Sequence, residues 1–189
     1  MNKQELKTLG NAIKKVLPEV VKDWNENKLK QFETFFESNY EDFFFKRKTQ
    51  ERTKILSPVI NLIFIRKMNE ETDGFFDNDE NGSDYLYNET KIEGKITLSP
   101  GNSWTGNGYF KTPIHILLRL KISEKGFIED FFSMIADLDN TKGSWTDPTT
   151  KSNFSTLKFY NEDSDSLIIC NGESILKRKY LDYKMEYSI

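Results

Sequence analysis

The stretch Asp84-Tyr-Leu-Tyr-Asn-Glu-Thr-Lys-Ile-Glu93-Gly-Lys95-Ile-Thr-Leu98 predicts a β-hairpin near the middle of this 189-residue chain. An incoming strand covers residues 85–87, a polar turn covers 88–90 and an outgoing strand covers 92–98. Successive side chains of a strand point to opposite faces. Glu93, Lys95 and Thr97 therefore share one face, and the other face carries Ile92, Gly94, Ile96 and Leu98. The hairpin brings two carboxylates and one amine together.

These three groups, Asp84, Glu93 and Lys95, form a candidate hydrolytic site. Two carboxylates can ligate a divalent cation such as Mg²⁺, and an adjacent amine can orient or deprotonate a water molecule. Glu89 and Lys91 have the same spacing, but Glu89 falls in the predicted turn. We therefore assign the site to Glu93 and Lys95, and a solvated strand face without chemistry is the alternative.

The arrangement Asp-X8-Glu-X-Lys on a hairpin resembles the signature of the PD-(D/E)XK nucleases, in particular the type II restriction endonucleases. Ser83 stands where that family usually has a proline. The resemblance implies an α/β (α+β) restriction endonuclease-like core, in which helices flank a central mixed β-sheet. It also implies Mg²⁺-dependent, sequence-specific hydrolysis of double-stranded DNA. Asp84, Glu93 and the backbone carbonyl of Ile96 would ligate the metal, and Lys95 would position the attacking water.

Two polar loops, residues 99–113 and 140–153, follow the hairpin, and each contains the tripeptide Ser-Trp-Thr. Side chains of this kind hydrogen-bond to base edges and phosphates. The resemblance to restriction endonucleases covers roughly residues 82–180 and places such a loop against DNA. The predicted DNA contacts are Asn102, Ser103, Trp104, Thr105, Asn107, Lys111, Lys142, Trp145 and Lys151.

The distribution of charge is compatible with DNA binding, although the net charge is −3. Residues 70–84 hold seven acidic side chains and no basic one, and short basic clusters lie at 46–48 and 177–179. A metal-dependent nuclease needs acidic groups at its centre and basic groups around it. The pattern is consistent with that requirement but does not demand it.

Composition indicates a cytoplasmic protein that has no membrane partner. No apolar run approaches the roughly 20 residues that span a bilayer, and the N-terminus lacks the apolar core of a signal peptide. One cysteine, Cys170, excludes an intramolecular disulfide. Its apolar neighbours predict a buried, inert thiol.

The chain length favours one compact domain, made of a helical N-terminal region, 1–68, and a nuclease core, 69–189. Within the first region we predict a helix that ends at Pro18, a second over 19–32 and a third over 35–45. Ser57 and Pro58 predict the start of another helix over 59–68, with a buried strand as the alternative. Cleavage of both strands of a palindrome requires two sites related by a twofold axis, so we expect a homodimer with the N-terminal helices as its interface.

The remaining strands are predicted at 114–122, 127–138, 156–160, 166–170 and 180–186, and residues 69–83 are predicted to form an acidic loop. His115, the only histidine, is expected at a solvent-facing or core-edge position of its strand, and an orientation into the site near DNA is the alternative. A further acidic metal ligand can come from an N-terminal helix, with Glu37, Glu41 and Glu51 as candidates. The alternative function is a non-catalytic DNA-binding or interaction protein on a degenerate nuclease fold.

Overall fold

The computed structural model describes residues 1–36, 49–77, 84–98, 104–106, 112–137, 143–145, 155–159, 167–172, 174–177 and 182–185. Helix α1 covers Lys3–Asp23 and continues through a π-helical turn, Trp24–Lys28, into helix α2, Leu29–Phe36. Helix α3 covers Thr49–Glu71. Asn2 and Glu5 form a capping box at the start of α1, each accepting a hydrogen bond from the other's backbone N–H.

Helix α1 passes through Pro18, so the prediction that the first helix ends there is wrong. Proline has no N–H and leaves the carbonyl four residues earlier without its helical donor. That carbonyl belongs to Lys14, and the side-chain amide of Asn171 donates to it at 3.0 Å. The missing hydrogen bond is therefore supplied by a residue 157 positions away in the sequence.

Helix α3 also contains a proline, Pro58, and begins nine residues before it. The prediction that Ser57 caps a new helix is therefore wrong, whereas the choice of helix over buried strand for 59–68 is confirmed. Residues 35–36 of the third predicted helix belong to α2, and the rest of that prediction, 37–45, lies outside the described residues.

Eleven strands are described. They are β1 Phe75–Asp77, β2 Tyr85–Tyr87, β3 Thr90–Thr97, β4 Thr105–Gly106, β5 Ile114–Ile122, β6 Ile128–Asp137, β7 Gly143–Trp145, β8 Ser155–Phe159, β9 Leu167–Asn171, β10 Ser174–Lys177 and β11 Asp182–Met185. The predicted strand 114–122 matches β5, and the other predicted strands are present with small shifts of their ends. Four strands were not predicted: β1, which lies within the expected acidic loop, β4 and β7, which lie within the two expected polar loops, and β10.

A six-stranded mixed sheet, in the order β1-β2-β3-β5-β6-β9, forms the centre of an α/β fold. Strands β2 and β3 are antiparallel, as are β5 and β6. Strands β3 and β5 are parallel neighbours, so the chain between them must cross over the sheet. A smaller sheet has the order β4-β8-β7, and β10 pairs with β11.

The helices cover one face of the central sheet. Leu9, Leu17 and Phe64 from the helices share a hydrophobic core with Ile92 and Ile116 from the sheet. On the opposite face, Trp104 packs against Phe132 at 6.3 Å between ring centroids. The two faces of the sheet thus have different surroundings, and the predicted catalytic residues lie on the face away from the helices.

Cys170 lies in β9, is buried and belongs to this core. Burial raises the pKa of its thiol to about 12, which keeps the sulfur protonated near neutral pH. The inert thiol expected from the sequence is consistent with this environment. None of the helices in the described part of the chain has both the length and the apolarity that a bilayer-spanning segment requires.

Candidate active site

The predicted hairpin is confirmed, and its turn sets the register of the site. Asn88 and Glu89 form the two-residue turn between β2 and β3, and both have positive φ, 44° and 64°. Two left-handed residues give a turn whose twist matches that of paired strands. The resulting register aligns Tyr85 with Ile92. Tyr85 and Ile92 are buried, so Asp84 and Glu93 fall on the opposite face of the hairpin.

Gly94, between the two catalytic candidates, is required by the packing of Tyr85. A Cβ atom at position 94 would lie 2.5 Å from the Tyr85 hydroxyl oxygen, so the ring occupies the space of a side chain. Tyr85 is 1% exposed and packs against Phe75, with ring centroids 5.0 Å apart. Its hydroxyl donates a hydrogen bond to Asn61 of α3. The hairpin is therefore attached to the helical layer directly beneath Gly94.

Asp84 is held by the outgoing strand. Its Oδ2 accepts a hydrogen bond from the backbone N–H of Gly94 at 2.8 Å and one from Lys95 Nζ at 3.3 Å. The Asp84 side chain remains 45% exposed. A carboxylate fixed at one oxygen and open to solvent has the geometry expected of a metal ligand.

Lys95 bridges the two acidic residues. Besides its contact with Asp84, its ammonium donates a hydrogen bond to Glu93 Oε1. The Lys95 side chain is 21% exposed, and that of Glu93 is 9% exposed. The structure thus brings the three predicted catalytic residues together in one ion-paired cluster.

Glu93 carries an unsatisfied buried oxygen. Its Oε2 atom is buried and accepts no hydrogen bond from any residue that the structure describes. Buried carboxylate oxygens are normally paired because the loss of hydration is costly. An oxygen in this state beside a second carboxylate fits a bound divalent cation, which would satisfy it.

His115 adjoins Glu93 on the parallel strand β5. Paired residues of neighbouring strands share a face, so the imidazole lies on the same side of the sheet as Glu93 and Lys95. His115 is fully buried, which excludes the solvent-facing position, and its place beside Glu93 agrees with the alternative orientation into the site. Its Nδ1 lies 3.2 Å from the Pro113 carbonyl oxygen.

Burial lowers the pKa of His115 to about 4, with a smaller contribution from the charge of Lys95. Because this pKa lies below the usual 6.5, the unfolded chain binds more protons between these two pH values. The contribution of the neutral His115 to the free energy of unfolding is therefore fully present above pH 6.5. It declines as the pH falls towards 4, by about 3 kcal/mol at most. Urea unfolding at pH 7, 5.5 and 4 measures this loss of stability, which should be larger for wild type than for His115→Gln. Equal pH slopes for the two proteins would contradict it.

No protein-family model and no curated protein sequence matches this chain.

Further metal ligands are not found among the described residues. In that part of the chain, no group of three or more His, Cys, Asp or Glu side chains is placed to hold a metal ion. Glu51 lies exposed in the first turn of α3, whose buried residues pack on the face opposite Glu93. Glu37 and Glu41 lie outside the described residues. Ile96 could ligate a metal only through its backbone carbonyl, because its hydrocarbon side chain has no ligating atom and packs against the core.

Three of the predicted DNA contacts are described. Trp104 is 1% exposed and its indole N–H donates to the Leu118 carbonyl oxygen at 3.2 Å. The structure places it in the packing of the sheet, where it has no free surface for DNA, contrary to the expectation. Thr105 lies in β4 and Trp145 in β7, on the two sides of β8. Outside the described residues lie Asn102, Ser103, Asn107, Lys111, Lys142 and Lys151.

Sequence reasoning did not identify three residues that hold the site in place, namely Gly94, Tyr85 and Asn61. A glycine between the glutamate and the lysine, and a tyrosine directly after Asp84, are visible in the sequence. A glycine within a strand often marks close approach by another group. That rule could have indicated Gly94, whereas no sequence signal connects Asn61 to the hairpin 24 positions later.

Proposed function

We propose that this protein is a Mg²⁺-dependent, sequence-specific endonuclease that cleaves double-stranded DNA in the manner of type II restriction enzymes. One observation carries the proposal: the buried Glu93 Oε2 lies unsatisfied, among the described residues, in a cluster with Asp84 and Lys95. A structural ion pair would be expected to satisfy its buried oxygens. A site that binds a cation during its reaction instead leaves a carboxylate oxygen without a protein partner, so that this oxygen can ligate the cation.

Asp84 and Glu93 are the residues that would hold the metal, together with the Ile96 carbonyl. A bound divalent cation neutralises charge on the scissile phosphate and lowers the pKa of bound water. The donor set consists of oxygens, which is the set Mg²⁺ prefers. The fit supports Mg²⁺ rather than a softer metal that prefers sulfur ligands.

Lys95 has two roles in the proposed reaction. Its ammonium offsets part of the negative charge of the two carboxylates before substrate binds, at 3.3 Å from Asp84 Oδ2. With DNA in place, the amine orients the attacking water and its charge stabilises the phosphate oxygens. The neutral, buried His115 adds no charge beside Glu93 near pH 7, so the carboxylate keeps its full attraction for a cation.

DNA readout is assigned to the two Ser-Trp-Thr loops. Strand β8 pairs with β4 at Thr105 and with β7 at Trp145. The two loops, about 40 residues apart in the sequence, are therefore joined to one small sheet. We assign base readout in a groove to the polar residues next to this small sheet, with the buried Trp104 left out. Cleavage of both strands calls for a homodimer.

Digestion of a sequenced plasmid in the presence of Mg²⁺ tests the proposed function. We expect discrete fragments whose ends map to one short sequence, and no cleavage when EDTA removes the metal. A smear would contradict sequence specificity. Intact DNA over a range of protein, Mg²⁺ and Mn²⁺ concentrations would contradict the nuclease and favour the non-catalytic alternative.

A further inference from the structure

Helix α1 presents a stripe of three exposed lysines, Lys7, Lys14 and Lys22, which we call the lysine stripe. Their spacings of seven and eight residues are close to two helical turns, so the side chains project from one face. The stripe is about 22 Å long, from a rise of about 1.5 Å per residue. Asn11 and Pro18, two exposed residues between the lysines on that face, carry no charge, and the exposed Lys15 lies at the edge of the stripe.

The charge of the lysine stripe is not compensated within the described structure. No ion pair among the described residues involves any of its three lysines, whereas Lys15 pairs with Glu71 at 2.6 Å. The acidic residues of α1 are engaged elsewhere. Glu19 lies 3.6 Å from Lys67, and Asp23 pairs with Arg66 at 2.8 Å. Three unpaired ammonium groups in a chain of net charge −3 form a local anion-binding surface.

The lysine stripe and the catalytic cluster face in opposite directions. The buried side of α1 packs in the core on the helix-covered face of the sheet. The stripe lies on the solvent side of that helix, whereas Glu93 and Lys95 lie on the other face of the sheet. A straight duplex that is bound at the catalytic cluster therefore does not reach the stripe.

We propose that the lysine stripe binds the sugar–phosphate backbone of a second duplex DNA segment, so that one molecule holds two segments at once. This proposal places the solvent side of α1 outside the dimer interface expected from the sequence. The choice of DNA rests on the proposed function. A duplex carries one negative charge per about 1.7 Å of axis, and each phosphate contact by a lysine releases counterions. An anionic membrane offers similar charge, but helices that bind membranes also insert an apolar face. The apolar face of α1 is buried in the core.

The salt dependence of DNA binding tests the stripe. Fluorescence anisotropy of a labelled 30-base-pair duplex with the full chain, in EDTA between about 50 and 200 mM NaCl, gives the slope of log K against log salt. Because the two segments occupy separate sites, wild type should show a second binding event with a slope of about 2 to 3, at about 0.9 per contact, and Lys7→Gln/Lys14→Gln/Lys22→Gln should lose this event. The matched control neutralises three lysines that are ion-paired, Lys15→Gln/Lys67→Gln/Lys121→Gln, and should keep the second binding event.

A bridging assay tests the second segment. Wild-type protein should retain a labelled duplex on beads that carry an unlabelled one, and the stripe variant should lose this retention while its melting temperature stays unchanged. The proposal is overturned if the stripe variant keeps the second binding event or bridges as well as wild type. Binding to phosphatidylserine vesicles without stripe-dependent DNA binding would also overturn it. If wild-type protein bridges two duplexes but does not cleave plasmid DNA, the proposed nuclease function is contradicted and the proposal for the lysine stripe is not.

Discussion

Lys95→Met should lower the rate of Mg²⁺-dependent DNA cleavage by about 10²- to 10⁴-fold, the usual contribution of a positioned acid–base group. Methionine keeps the length of the side chain but removes the ammonium that contacts Asp84 and Glu93. Metal binding should survive, because both carboxylates remain and their neutralising partner is gone. Saturation with Mg²⁺ at 100 times its dissociation constant should still add about 2.7 kcal/mol to stability.

The hairpin supplies matched controls for this experiment. Lys91→Met makes the same chemical change on the same strand, at an exposed position, and should leave cleavage unchanged. Glu93→Gln should lose both cleavage and the metal-dependent rise in stability, whereas Glu89→Gln should lose neither. If Glu89 and Lys91 were the sensitive pair instead, the assignment of the site to Glu93 and Lys95 would be wrong.

Gly94→Ala should destabilise the fold by about 3 kcal/mol, at the upper end of the usual cost of inserting atoms into a packed core. The new methyl group would overlap the Tyr85 ring, which cannot move away because it is buried against Phe64 and Phe75. At about 2–4 °C per kcal/mol for a chain of this size, the melting temperature should fall by about 6–12 °C.

Gly74→Ala is the matched control for Gly94→Ala. A Cβ atom there would meet the side-chain oxygen of Asn88 at 2.8 Å, and that oxygen lies at the end of an amide that can rotate. We expect its melting temperature to stay within about 2 °C of wild type, as for most surface substitutions. Equal melting temperatures for Gly94→Ala and wild type would show that the Tyr85 ring does not require a glycine at this position.

Several structural features were predictable because they depend on neighbouring residues. The hairpin follows from its polar turn and alternating strands, and the same alternation places Glu93 and Lys95 on one face. Strand β5 was predicted with its observed ends, since its apolar run is bounded by Pro113 and by Ser123. The helical character of 59–68 was predicted as well. In each of these cases, the chain within about ten residues contains the determining signal.

Other features depend on contacts between distant parts of the chain. Pro18 predicts the end of a helix, yet α1 continues because Asn171 supplies a donor to the Lys14 carbonyl. Trp104 lies in a polar, loop-like segment, yet its indole is buried beside Phe132 and hydrogen-bonded to Leu118. Both outcomes are decided by a partner that sequence neighbours do not reveal.

The sequence by itself determined that Asp84, Glu93 and Lys95 meet on one hairpin, because their placement follows from local turn and strand patterns. Only the tertiary structure decided the state of those residues. It brought His115 beside Glu93, buried Glu93 Oε2 without a partner among the described residues, and placed Tyr85 beneath Gly94. These are consequences of burial and of pairing between strands, and burial is a property of the whole fold rather than of a local pattern.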